Sequence, residues 1–116
     1  FKTFFPYTTN QITPFNSQNT FISRQVIKYY PMLPWIGRMD DIWGSYYMQF
    51  KLKSKDPYII YNNASVYQKR NVHDLISDLK KEVIGYDNSI KLNKFNFLKM
   101  LPKKTQNFLK IWEKAF

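Results

Sequence analysis

From Asp40 onward the apolar side chains recur at helical intervals: Trp43, Tyr47 and Phe50 are four and three residues apart, with Ile42 and Tyr46 beside them. That spacing predicts an amphipathic helix with its aromatic stripe packed inward. Asp40 or Asp41 is its natural N-cap, because a carboxylate there accepts from the open amide groups of the first turn. A second helix is expected from about residues 71–74 to Ile84, with Leu75, Ile76, Leu79 and Val83 inward and Gly85 as its C-terminal stop. Two more helical stretches, around 90–101 and 105–116, flank Pro102. Strand character belongs to the opening FKTFFPYTT, to residues 20–22, and to PYIIY continued by 64–67 after the break at Asn62 and Asn63. Ser23 can cap a short helix that runs to about Tyr30 and stops at Pro31, and residues 31–38, with two prolines and Gly37, form a loop.

About four helices thus face two or three short strands, an α/β composition. Strand pairs this short are marginal without further strands or helical cover. Either another segment completes the sheet, or the chain is a mostly helical mini-domain with a hairpin. A start at Phe1, inside a β-type stretch, favours the first, so residues 1–116 are read as a single or partial domain, with its C-terminal helices from about residue 87.

Composition narrows the chemistry. The chain lacks Cys and has one histidine, His73, which excludes disulfide scaffolds, thiolate metal sites, cysteine catalysis and any site that needs two imidazoles from these residues. Ten Phe, nine Tyr and three Trp supply a core. No apolar run approaches the ~20 residues of a membrane span, and the expectation is a soluble, cytoplasmic chain. The final helix, with Phe108, Leu109, Ile111 and Trp112 between lysines, has the make-up of a peripheral membrane contact, although packing on its own domain is the better use of that face. The formal charge of +10 invites a nucleic-acid reading. Yet only Arg24, Arg38 and Arg70 among the 18 basic residues carry the guanidinium fork that base and phosphate recognition favours. Lys, Asn, Ile, Phe and Tyr make up 55 of the 116 residues; all have AT-rich codons, so the basicity reads as codon usage, and nucleic acid is not the expected partner.

The candidate chemistry lies around Gly37-Arg38-Met39-Asp40-Asp41-Ile42-Trp43. Two adjacent carboxylates follow a Pro/Gly loop and open a helix whose dipole holds them ionised and fixes their direction. Such a group can orient a substrate hydroxyl or take its proton; it can equally be a doubled cap with Arg38 as its ion pair. A second cluster, Gln68, Lys69, Arg70, Asn71 and His73, sits ahead of a helix N-terminus, where phosphate is favoured; capping by His73 and Asp74 is the plainer alternative. Asp74 and Asp78, with Lys81 and Glu82 beyond, are most simply an exposed helix face. Trp43, Tyr47 and Phe50 are assigned to packing, whereas Trp35, in its proline-bounded loop, is the better aromatic for a ligand.

The runs NSQNTFISRQVI, IGRMDDIWGSYYMQ and NNASVYQKRNVHDLISDLKKEVIGYDNSIKL, over residues 16 to about 92, together resemble the C-terminal half of the catalytic domain of GT-A-type glycosyltransferases. The likeness is to the reversibly glycosylated polypeptide or UDP-arabinopyranose mutase group and its bacterial and viral relatives, and Gly-Arg-x-Asp-Asp-Ile-Trp is its most specific string. The resemblance implies the acceptor-side half of a GT-A-like domain, transferring sugar from a nucleotide-sugar donor to an acceptor hydroxyl. It implies Asp40 and Asp41 as the acidic pair, one of them the base or hydroxyl-orienting group. Asn19, Arg38, Gln68, Arg70 and His73 become candidate substrate contacts with Trp35. The resemblance also implies a divalent metal, Mn or Mg, for the complete enzyme, but the Asp-x-Asp motif that holds it is absent from these 116 residues, as is any Gly-rich nucleotide loop. The expected partner is therefore the missing N-terminal half of the domain, without which the chain is inactive. The competing class is a basic binding or structural module, held by lysine contacts to phosphate in a larger assembly.

Overall fold

The computed structural model describes residues 6–89, 91–92 and 96–116. Among them two strands, β1 (Tyr7–Thr9) and β2 (Ile59–Tyr61), pair antiparallel in the register Tyr7 to Tyr61, Thr8 to Ile60 and Thr9 to Ile59. The helices are α1 (Asp40–Leu52), α2 (Leu75–Ser89), the single turn α3 (Phe97–Met100) and α4 (Lys103–Lys114). Short 3-10 turns at Ile27–Tyr29, Gly37–Met39 and Lys53–Lys55 complete the order. This is a small mixed fold of helices and a two-stranded sheet.

Helix α1 is the hub because it is buried on two sides, an aromatic one and one that mixes small, polar and apolar residues. Trp43 and Tyr47 are buried with Leu33, Met39, Phe97, Leu101 and Leu109, and Phe50 packs against that cluster half-buried. Phe97 is the keystone, its ring within 5.7 to 6.4 Å of those of Phe50, Tyr47 and Trp43. A second cluster of Tyr30, Met48 and Leu52 gathers Phe15, Ile22, Val26 and Tyr29. Gly44 lets the chain before α1 come close, since a Cβ there would stand 2.6 Å from the Pro31 carbonyl oxygen. The C-terminal helix packs back on the domain: Leu109 is buried, the Thr105 hydroxyl donates to the Pro34 carbonyl at 2.6 Å, and the Trp112 indole donates to the Lys28 carbonyl at 2.7 Å.

Several expectations are corrected. Helix α1 begins at Asp40, but its N-cap is Met39, closing the Gly37–Met39 turn, so both aspartates lie inside the first turn. Residues 20–22 and 64–67 form no strand, and the 62–74 segment is exposed throughout; without a third strand beside it, β propensity alone does not hold it. Ser23 acts through its carbonyl, which accepts from the Val26 and Ile27 amides, and only the Ile27–Tyr29 turn follows. Gly85 does not stop α2: it lies buried inside the helix, where a Cβ would overlap Met39 Cγ, Sδ and Cε. Leu75, Ile76, Leu79 and Val83 are 74, 63, 51 and 44% exposed and so do not face a core. The stretch from 90 is helical at Phe97–Met100; residues 90 and 93–95, like 1–5, lie outside the described residues.

Candidate active site

The acidic pair is set by a ladder of polar contacts between α1 and the extended segment before it. Asp41, Ser45 and Gln49 stand at i, i+4 and i+8 on one stripe of α1. Thr13, Phe15 and Ser17 present alternate backbone groups to it in the opposite direction. Gln49 accepts the Thr13 amide at 2.9 Å and donates to the Thr13 carbonyl at 2.7 Å. Ser45 accepts the Phe15 amide at 3.2 Å. Asp41 Oδ2 accepts both the amide and the hydroxyl of Ser17, at 2.9 and 3.2 Å. The repeats match, since four helical residues rise about 6 Å and two extended residues about 6.7 Å.

That ladder divides the two carboxylates. Asp41 is tied to Ser17, its Oδ1 accepts the Ile42 amide at 2.8 Å, and its carbonyl accepts the Tyr30 hydroxyl at 3.2 Å. Asp40 Oδ1 accepts the Asp41 amide at 2.8 Å, and Oδ2 has no partner among the described residues. Both are half-buried at the positive end of the α1 dipole. Their charges, after burial, help push the Tyr30 hydroxyl up to about 12.

Arg38 turns away from the pair that it precedes. Its Nε meets Glu82 at 2.7 Å and its Nη1 meets Asp78 at 3.4 Å, both on α2. The Glu82 hydrogen bond raises the guanidinium pKa, and the same bond holds Glu82 below the usual carboxylate range. His73 Nδ1 lies 3.6 Å from Asp78, and the charge of Arg70 also acts on Glu82. Three predicted residues, Arg38, Arg70 and His73, therefore converge on the acidic stripe of α2. Asp78 and Glu82, read as solvated, are the anchors of this cluster, and Asp74 caps α2 by accepting from the Ile76 and Ser77 amides at 3.1 Å. Gln68 is exposed on the 62–74 segment. Asn19 accepts the Ser65 hydroxyl at 3.1 Å, which ties that segment to the 16–20 loop. Trp35 is 61% exposed with φ of +64°, a left-handed conformation costly for a tryptophan.

A divalent cation is not fitted by these residues: among the described residues no group of three or more His, Asp or Glu side chains is placed to hold one, and the α2 carboxylates already face Arg38. Comparison with known proteins gives no match to a protein-family model, a curated protein or a solved structure. Sequence reasoning missed Ser45 and Gln49, the supports of the acidic pair. Their signal was present in the i, i+4, i+8 spacing of Asp41, Ser45 and Gln49 on an otherwise aromatic helix.

Proposed function

We propose that the chain is the acceptor-side part of a nucleotide-sugar-dependent glycosyltransferase, with Asp40 as the carboxylate that receives the acceptor hydroxyl. The observation that carries this reading is the unequal use of two adjacent carboxylates: Asp41 is bound into the ladder by Ser17, and Asp40 Oδ2 is uncommitted among the described residues. The Gly-Arg-x-Asp-Asp-Ile-Trp resemblance supports the same class. The acceptor O–H donates to Asp40; as its oxygen bonds to the anomeric carbon, the proton passes to the carboxylate, the bond to the nucleotide diphosphate breaks, and the diphosphate leaves with the electron pair. Asp41 is a positioning residue that keeps α1 and the Ser17 loop in register. The nucleotide and its cation belong to residues other than these.

The test is sugar transfer from a panel of UDP- and GDP-sugars by the full gene product. Asp40→Asn keeps the shape and loses the basicity, so the rate should fall by about 10²- to 10⁴-fold with an unchanged melting temperature. Asp41→Asn should lose activity only as far as the Ser17 loop loosens. Full activity in Asp40→Asn overturns the assignment, and the absence of transfer by the complete protein with every donor overturns the class.

A further inference from the structure

The C-terminal half of α1, the Ile27–Tyr29 turn, the last turn of α4 and Phe116 beyond it line a half-open cavity of about 340 Å³. This lies at the small end of the range of ligand sites. One wall is aromatic: the rings of Trp112 and Phe116 stand 5.2 Å apart at 54° to each other. Tyr29 also lines the cavity, with the ammonium of Lys28 5.3 Å from its ring centroid. The lining includes a fixed polar group. Glu113 Oε1 accepts the Tyr47 hydroxyl and pairs with Lys51, while Oε2 has no partner among the described residues. Those two contacts, Lys51 first, hold the Glu113 carboxyl below its ordinary range, so it faces the cavity as an acceptor.

We propose that this cavity binds a pyranose that carries an anionic group, such as a sugar phosphate or a uronic acid. The inclined rings of Trp112 and Phe116 do not make the parallel slot that a flat base fills from both sides, but either one offers a face for the apolar C–H surface of a sugar. Glu113 Oε2 accepts from a ring hydroxyl while Lys51 donates to its neighbour, the paired pattern that vicinal hydroxyls present. Two ammonium groups, Lys28 and Lys51, line the cavity with one carboxylate, and this surplus favours a negative charge in the ligand. The site is separate from Asp40 and stands whether or not the chain takes part in sugar transfer.

Calorimetric titration of the protein with glucose 6-phosphate, glucuronate, glucose, inorganic phosphate and uridine monophosphate tests this, with the Trp112 indole N–H followed by NMR to locate binding. Glucose 6-phosphate or glucuronate should bind saturably and shift that signal, with glucose and phosphate each roughly tenfold weaker or more. Whichever anionic sugar binds names the anion. Lys28→Met removes the ammonium and leaves the backbone carbonyl that accepts from Trp112, so it should weaken binding by roughly tenfold with the fold intact. The proposal is overturned by any of four results: no saturation with either anionic sugar; phosphate or glucose binding as tightly as these; tighter binding of uridine monophosphate; or unchanged affinity in Lys28→Met.

Discussion

Gln49 grips the backbone of Thr13 from both sides, accepting its amide at 2.9 Å and donating to its carbonyl at 2.7 Å, in a position where the glutamine is only 2% exposed. Gln49→Leu keeps the volume and strands both backbone groups. Each buried unsatisfied group costs about 1–3 kcal/mol, so a loss of about 2–6 kcal/mol is expected in urea melts with an unchanged m-value. A loss under ~0.5 kcal/mol would mean that water replaces the side chain and that the ladder is not structural.

Gly85→Ala gives the opposite sign to helix propensity. Alanine in a helix interior is ordinarily better than glycine by about 1 kcal/mol. Here the new methyl enters the space of the buried Met39 side chain, and overpacking of this kind costs about 1–3 kcal/mol. The single variant should be less stable than the parent, and the same change in a Met39→Ala background should be stabilising. Additivity of the two substitutions would contradict direct contact.

Helix α2 should exchange its amides faster than α1. Its main packing partner is the Gly37–Met39 turn, and Leu75, Ile76 and Leu79 are more than half exposed. Few buried apolar contacts mean low local opening free energy. Hydrogen exchange read by mass spectrometry should show residues 75–84 labelled before 43–52; equal protection in both would show that α2 is held by more than this turn.

Stability should fall at both ends of the pH range for separate reasons. The folded Glu113 carboxyl lies below its ordinary 4.5, so its contribution is complete above that value and is lost as pH falls below it. Tyr30 moves from 10 to about 12 in the folded chain. The unfolded phenol ionises first, and stability declines as pH rises from 10 through about 12. Melting temperature against pH should show a flatter acid limb in Glu113→Gln and a flatter alkaline limb in Tyr30→Phe. Unaltered limbs in the variants would remove these groups as the cause.

The parts of this fold readable in the sequence are those fixed by local pattern. Trp43, Tyr47 and Phe50 announce α1 because their spacing is the helix period, and their packing role follows from it. The two-residue hinge of Asn62 and Asn63 correctly ends β2 after Tyr61. What failed depends on partners distant in the chain. Gly85 carries the usual sign of a helix stop, but its neighbour is Met39, 46 positions earlier, and only that contact makes a mid-helix glycine favourable. Arg38 stands next to two aspartates in sequence yet reaches Asp78 and Glu82. The apolar positions of α2 have helical spacing without a core to meet, because periodicity reports a face and not what covers it.

Arg38 and Met39 are consecutive, and both hold α2, one by charge at Asp78 and Glu82 and the other by fit at Gly85. Asp78 and Gly85 lie seven positions apart, roughly 10 Å along α2, and the turn they hold ends one residue before Asp40. The helix is thus fastened at two points to the turn that runs directly into the first turn of α1.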